Sequence, residues 1–409
     1  MRQDGRLKVC IVFFVITLTL LPMAGRAAEP IKMVEINPQS GVMKDVGDRH
    51  QLGIKFAVDE INSAGGLLGR PIKMFYEDSQ LKPDVATRKA ERYISEEKVE
   101  FIISGVGTHV SKALAPVAEK NKVIFLNDGA AGDELTGKDF TPYQFRVCLS
   151  TSQQSGALAA YFSTKPFKKF YILNQDYAFG HDVAEAFKKA MNRLKPDWQL
   201  VGEDYHPIGA KDMGPYISKV ISSGAEVMIT GNYGADLRVL LKQASGLALK
   251  AKVGSYYLVD PYALQEIGEA AVGAVTVEIY MLTEDTPQNK AFVERWKKRK
   301  IDPDQPYPTW LMGKAYQGFM FMAEAIKKAN STKAEDVIKA WEGLSFDAPV
   351  GRMTMRACDH QVITPISVGE IVAGPGPFYK FPFVGTPIII PAEKAAVPPE
   401  ETGNPRCKK

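Results

Sequence analysis

Residues 104–116 read SGVGTHVSKALAP. The apolar run EFIIS ends there in a glycine-rich turn, and beyond it Val110, Ala113, Leu114 and Val117 recur at helical spacing. This pattern predicts a strand, a tight turn and a helix that begins at Thr108. The first N–H groups of such a helix have no intrahelical partner, and its end carries partial positive charge. A threonine hydroxyl beside those groups can hold a carboxylate or phosphate. The same threonine can also be a plain N-cap. Gly105 and Gly107 would let the backbone approach a ligand closely.

Other reactive side chains make a weaker pattern. Asp176, His181 and Asp182 share the stretch NQDYAFGHD, and all three titrate. The chain has no GxSxG elbow, no P-loop and no dinucleotide fingerprint after a strand. GGLLG (65–69) follows a helical pattern and reads as a cap and hairpin. Cys148, in QFRVCLS, reads as an inert thiol on a buried strand. The five histidines (His50, His109, His181, His206, His360) form no HExxH or paired-ligand spacing. A binding protein is therefore expected rather than an enzyme, with no cofactor and no metal.

The chain has 409 residues, 45% hydrophobic and 24% charged, with a formal net charge of +4. These values suit a soluble globular protein of two or three domains. No block of five like charges calls for nucleic acid. The N-terminus has a basic start (Arg2, Arg6, Lys8), a short apolar run CIVFFVITLTLL and a small-residue end at Ala27 and Ala28. That is the pattern of a secretory signal peptide over residues 1–28, which implies export. The mature chain then keeps Cys148, Cys358 and Cys407 in an oxidising compartment. Pairing Cys358 with Cys407 would tie down a Pro-rich tail. Sequence alone leaves that connectivity open.

Strand and helix patterns alternate after the signal. IKMVEIN, RPIKMFYED, VEFIISG and KVIFLND read as strands, with amphipathic helices between them. A second round follows with KKFYILNQ, WQLVGEDYH, AEVMITG and KAKVGSYY. This order predicts an α/β chain of two doubly wound, mostly parallel sheets. Ligand sites in such sheets lie beyond the carboxyl ends of the strands. SGVGTH, NQDYAFG, GNYGADLR and SYYLVDPYA all fall at such ends, which places a cleft between two lobes.

At these residues the chain resembles the periplasmic solute-binding proteins of ABC importers, in particular the leucine/isoleucine/valine-binding group of type I. The resemblance runs over about residues 30–390. It is carried by NPQSG (37–41), GIKFAVDEINSAGGLLGRPIKMFYED (53–78), SGVGTHVSKALAP, FLNDGAAGDEL (125–135) and DYAFG (176–180). It implies a clamp with a hinge of three crossings that closes on a ligand and docks on an inner-membrane permease. The first lobe would hold 29–149 and 282–344, and the second 150–281 and 345–409. Thr108 and Gly107 would bind the ligand carboxylate, helped by backbone groups of Ala130 and Ala131. Phe179, Tyr233 and Tyr256 would line the other side. The amino-acid binders carry an acid in the SYYLVDP loop to meet the ligand's ammonium, and Tyr256 is read at that position here. An aromatic or aliphatic carboxylate, or a small amide, then becomes the favoured ligand, unless Asp260 or Glu278 replaces the acid. A periplasmic monomer that serves transport is expected. A ligand-sensing domain and a true branched-chain amino-acid binder are the alternatives.

Overall fold

The structure, a computed structural model, describes residues 28–301 and 306–408. The expected signal peptide lies outside the described residues, except for residue 28. No helix among the described residues is long and apolar enough to cross a membrane.

The first sheet is built from β1 (Ile31–Asn37), β2 (Ile72–Asp78), β3 (Phe101–Ser104), β4 (Ile124–Asn127) and β5 (Gln144–Arg146). All of its pairings are parallel, in the order β2-β1-β3-β4-β5. The helices α1 (Lys44–Ser63), α2 (Pro83–Arg92) and α3 (Thr108–Asn121) connect these strands. β3 and β4 are buried on both faces, which is why they read as unbroken apolar runs.

The second unit starts with α4 (Thr151–Ser163). Its strands β6 (Lys169–Gln175), β7 (Gln199–His206), β8 (Val227–Thr230), β9 (Lys252–Ser255) and β10 (Val275–Glu278) alternate with α5 (Ala178–Leu194), α6 (Gly214–Ser222), α7 (Gly234–Gly246) and α8 (Pro261–Ile267). These strands run parallel in the order β7-β6-β8-β9-β10, so both units wind in the same sequence.

The chain then crosses back. α9 (Pro287–Arg299), α10 (Trp310–Ala329) and α11 (Ala334–Trp341) follow, and α10 packs along α1 on the first unit. Gly53 permits that approach, because a Cβ there would stand 2.3 Å from the Met312 carbonyl oxygen. β11 (Ser345–Ala348), β12 (Gly351–Met355) and β13 (Val362–Ile363) form a small antiparallel sheet. A bridge between Arg146 and Gln361 joins it to the edge of the first sheet. Residues 345–363 were grouped with the second lobe on sequence, and here they attach to the first.

After a third crossing, β14 (Ile366–Val372) pairs antiparallel with β10 and extends the second sheet, followed by β15 (Phe383–Val384) and β16 (Ile388–Ile390). The short α12 (Ala392–Ala395) covers α4. Cys358 and Cys407 form a disulfide with Cα atoms 5.1 Å apart, closing a separation of 49 residues. Cys148 is buried and free, and burial pushes its thiol up to about 12.

Candidate functional site

In each unit, strand ends and asparagines set the loops that face the other. Asn37 closes β1, and its Oδ1 accepts from the N–H groups of Gly105 (3.0 Å) and Val106 (3.2 Å) and from Ser104 Oγ (3.3 Å). Its Nδ2 donates to Glu35 Oε1 at 2.8 Å. The turn that leads to Thr108 is therefore held by the neighbouring strand. Gly107 is the N-cap of α3 at φ 94°, a conformation that disfavours side chains. The first intrahelical bonds run from Val110 and Ser111 to the Gly107 carbonyl, so the N–H groups of Thr108 and His109 precede them. Thr108 Oγ1 accepts from Gly132 N–H at 3.3 Å and keeps its own hydrogen to donate.

The loop after β4 is fastened more tightly than expected. Asn127 Oδ1 accepts from Ala130 N–H at 2.8 Å and from Gly129 N–H at 3.2 Å, and its Nδ2 donates to the Ala130 carbonyl at 3.1 Å. Both Ala130 backbone groups are thus already bonded within the loop. The Ala131 carbonyl accepts from Thr151 N–H at 2.9 Å. Here the loop supplies a small-residue surface and shape.

The second unit contributes rings. Asn174, near the end of β6, donates to the Gly180 carbonyl and accepts from Gly231 N–H, both at 2.7 Å. Those bonds fix the two loops that carry Tyr177, Phe179 and Tyr233. The Phe179 and Tyr233 centroids are 6.5 Å apart, and each lies about equally far from Tyr257, at 5.9 and 6.1 Å. Tyr177 joins at 6.1 Å from Phe179. Burial, then the neighbouring Tyr233, pushes the Tyr177 hydroxyl up; burial and Glu278 do so for Tyr257.

Tyr256 does not join this wall. It is 0% exposed, and its hydroxyl bonds Ser155 Oγ at 2.8 Å in the core of the second unit. β9 ends at Ser255 and the chain bends, and Tyr257 is the tyrosine that meets the rings. Asp260 is also committed: its carboxylate caps α8 through the N–H groups of Tyr262 and Ala263 and pairs with Arg49 of α1. Glu278 is buried, which raises its carboxyl, while the Lys314 charge pulls it back.

The walls meet across the hinge. Tyr257 lies 5.9 Å from Trp310 at the start of α10. The Arg49 guanidinium lies 4.4 Å over the Tyr262 ring as well as on Asp260. Asp182 on α5 is raised by burial and by Glu134 and Asp133 of the first unit. The sequence reading missed Tyr177, Tyr257, Trp310 and Lys314. A lone lysine in the apolar stretch TWLMGKAYQGFMF was the available signal for the last.

The sequence profile described as periplasmic binding protein matches residues 30–375. A Brucella abortus protein named Leu/Ile/Val-binding protein homolog 4 is 28% identical over 371 residues, 87% of each chain. The closed conformation of a leucine-, isoleucine-, valine-, threonine- and alanine-binding protein from Brucella ovis superposes with a TM-score of 0.82 at 26% identity, covering 91% of this chain and 97% of that one. A Rhodopseudomonas palustris BisB5 solute-binding protein, solved with 3,4-dihydroxybenzoic acid, gives 0.76 at 23% identity, covering 88% and 97%. With fold, cleft and profile in agreement over most of its length, the chain belongs to the periplasmic binding protein family.

Proposed function

We propose that the exported mature chain acts as a monomeric periplasmic capture protein for an ABC importer. It closes on a small carboxylate-bearing ligand with an apolar or aromatic body and presents it to an inner-membrane permease. The first lobe includes residues 345–363, whose Gln361 bridges its edge at Arg146.

One observation carries the ligand class. The loop that would hold an ammonium partner, beside the cluster of rings on the second lobe, offers none. Tyr257 stands in that cluster, and Asp260 is spent on Arg49 and on its own helix. Glu278, the remaining acid, is pushed toward its neutral form by burial, and a buried ammonium without a charged partner is costly, so an α-amino acid is disfavoured. The two Brucella relatives are named for branched-chain amino acids and the Rhodopseudomonas protein was solved with a dihydroxybenzoate, so the family allows either chemistry.

A thermal-shift screen of refolded, ligand-stripped protein tests this reading. A ligand that binds only the native state raises Tm. The expected hits are benzoates, phenylacetates or short branched carboxylates. Hits confined to leucine, isoleucine and valine would sink the ligand class and leave the clamp.

A further inference from the structure

Lys314 is a buried cation without a bonded counter-ion among the described residues. Every residue of α10 from Leu311 to Phe319 is buried. Lys314 is 5% exposed, and its Nζ lies 4.4 Å from the Trp310 ring centroid. Among the described residues it has no hydrogen bond and no carboxylate at ion-pair distance. Other buried charges near the hinge are provided for. Asp128 bonds His50 at 3.0 Å, and Arg146 donates to Gln361, to the Gly132 carbonyl and to Thr136. Glu278 is pushed toward its neutral form by burial, against the pull of the Lys314 charge. An unpaired buried ammonium is destabilising, and a ring face offsets only part of that.

A second observation concerns the surroundings. Gln317, three residues along the same helix, is fully buried with both amide atoms unpartnered. Glu278 Oε2 and Asp128 Oδ1 are also buried without partners. This part of α10 lies directly on two hinge crossings: a Cβ at Gly313 would stand 2.3 Å from Tyr280, and one at Gly318 would stand 2.5 Å from Val147. Donors and acceptors are thus left over around a cation, next to the ring that touches Tyr257. At the start of α3 the charge has the other sign. A Cβ at Gly132 would lie 2.4 Å from Thr108 Cγ2 and 2.7 Å from Glu134 Oε2, so an acid stands beside Thr108.

We propose that Lys314 is the counter-ion for the ligand's carboxylate, which lies at the hinge end of the cleft beside Trp310, while Thr108 and the first N–H groups of α3 hydrogen-bond the opposite end. This rests on the cleft reading above and adds the location of the charge. It makes Lys314 the specificity-determining residue. An acid is preferred to its isosteric amide. An amino acid, whose ammonium would be brought toward Lys314, is rejected in favour of the same skeleton without the amine.

Calorimetric titration with matched probes tests it: benzoate against benzamide, and 4-methylpentanoate against 4-methylpentanamide and leucine. The natural chain should favour each acid over its amide by about tenfold or more. Lys314→Met and Lys314→Gln should bring that ratio near one and keep amide binding. Lys314→Met should also raise the Tm of the unliganded protein, the reverse of losing a structural contact. Lys314→Arg should keep the preference. Thr108→Ala should weaken acid and amide alike. A ratio that survives in Lys314→Met, a ratio removed by Thr108→Ala, or a preference for leucine over 4-methylpentanoate overturns the assignment and leaves the cleft standing. Failure of every probe to bind the natural chain overturns the cleft reading and this assignment together.

Discussion

The first sheet runs β2-β1-β3-β4-β5 and the second repeats that order as β7-β6-β8-β9-β10, yet their facing loops carry different chemistry. On the first lobe the strand ends lead into glycine, alanine and a helix start, so on the proposed reading it is helix N–H groups and the Thr108 hydroxyl that meet a ligand. On the second they lead into Tyr177, Phe179, Tyr233 and Tyr257. Each lobe fixes its wall at the switch point of its sheet with an asparagine, Asn37 on one side and Asn174 on the other. One winding thus yields a wall that orients by hydrogen bonds and a wall that supplies apolar area. Those roles are separable by experiment.

The largest effect is expected at Asn37. It makes four hydrogen bonds, against two for Asn174. Asn37→Ala leaves the buried N–H groups of Gly105 and Val106 unpaired and should cost about 3 kcal/mol in urea unfolding. Asn174→Ala should cost less. Equal losses would mean that packing, rather than asparagine, holds both loops. Next in size is the ring wall. Tyr257→Ala removes a side chain in contact with Phe179, Tyr233 and Trp310. It should weaken an aromatic acid by about 2 kcal/mol, roughly 30-fold in Kd. A dissociation constant within threefold of the natural one would take Tyr257 off the wall.

Sequence pattern carried the architecture well because parallel strands buried on both faces leave long apolar runs such as FIIS and IFLN. It carried the site less well, for local reasons. SYYL offers two tyrosines, and a one-residue change in where β9 ends exchanges which of them faces the cleft. Tyr256 goes inward to Ser155 and Tyr257 outward to the rings. Ala130 reads as available in sequence, whereas Asn127 takes both of its backbone groups. Lys314 was hidden in a helix whose apolar residues read as core, which they are. The strands after Ser345 divide between the lobes because short turn-rich runs do not encode their partners, and long-range contacts such as the Arg146–Gln361 bridge and the His360–Gln144 hydrogen bond fix where the first of them attach.

The hinge belongs to neither wall, and Glu284 probes it. This carboxyl is buried between two crossings, accepting from Met281 N–H at 3.1 Å and from Ser367 Oγ at 2.6 Å. Burial raises it from 4.5 to about 8. A raised carboxyl keeps its proton in the folded chain where the unfolded chain has lost it. Its contribution to stability is therefore full below about pH 4.5 and is lost as pH rises toward 8. The slope is at most about 1.4 kcal/mol per pH unit. Glu284→Gln should remove that slope, matching the natural chain near pH 5 and exceeding its Tm near pH 8. Since both walls depend on the hinge, the substitution should shift the affinities of all ligands together and leave their ranking unchanged. A changed ranking would mean that Glu284 reaches one wall directly. An unchanged pH slope would mean that the carboxyl is already ionised between the crossings.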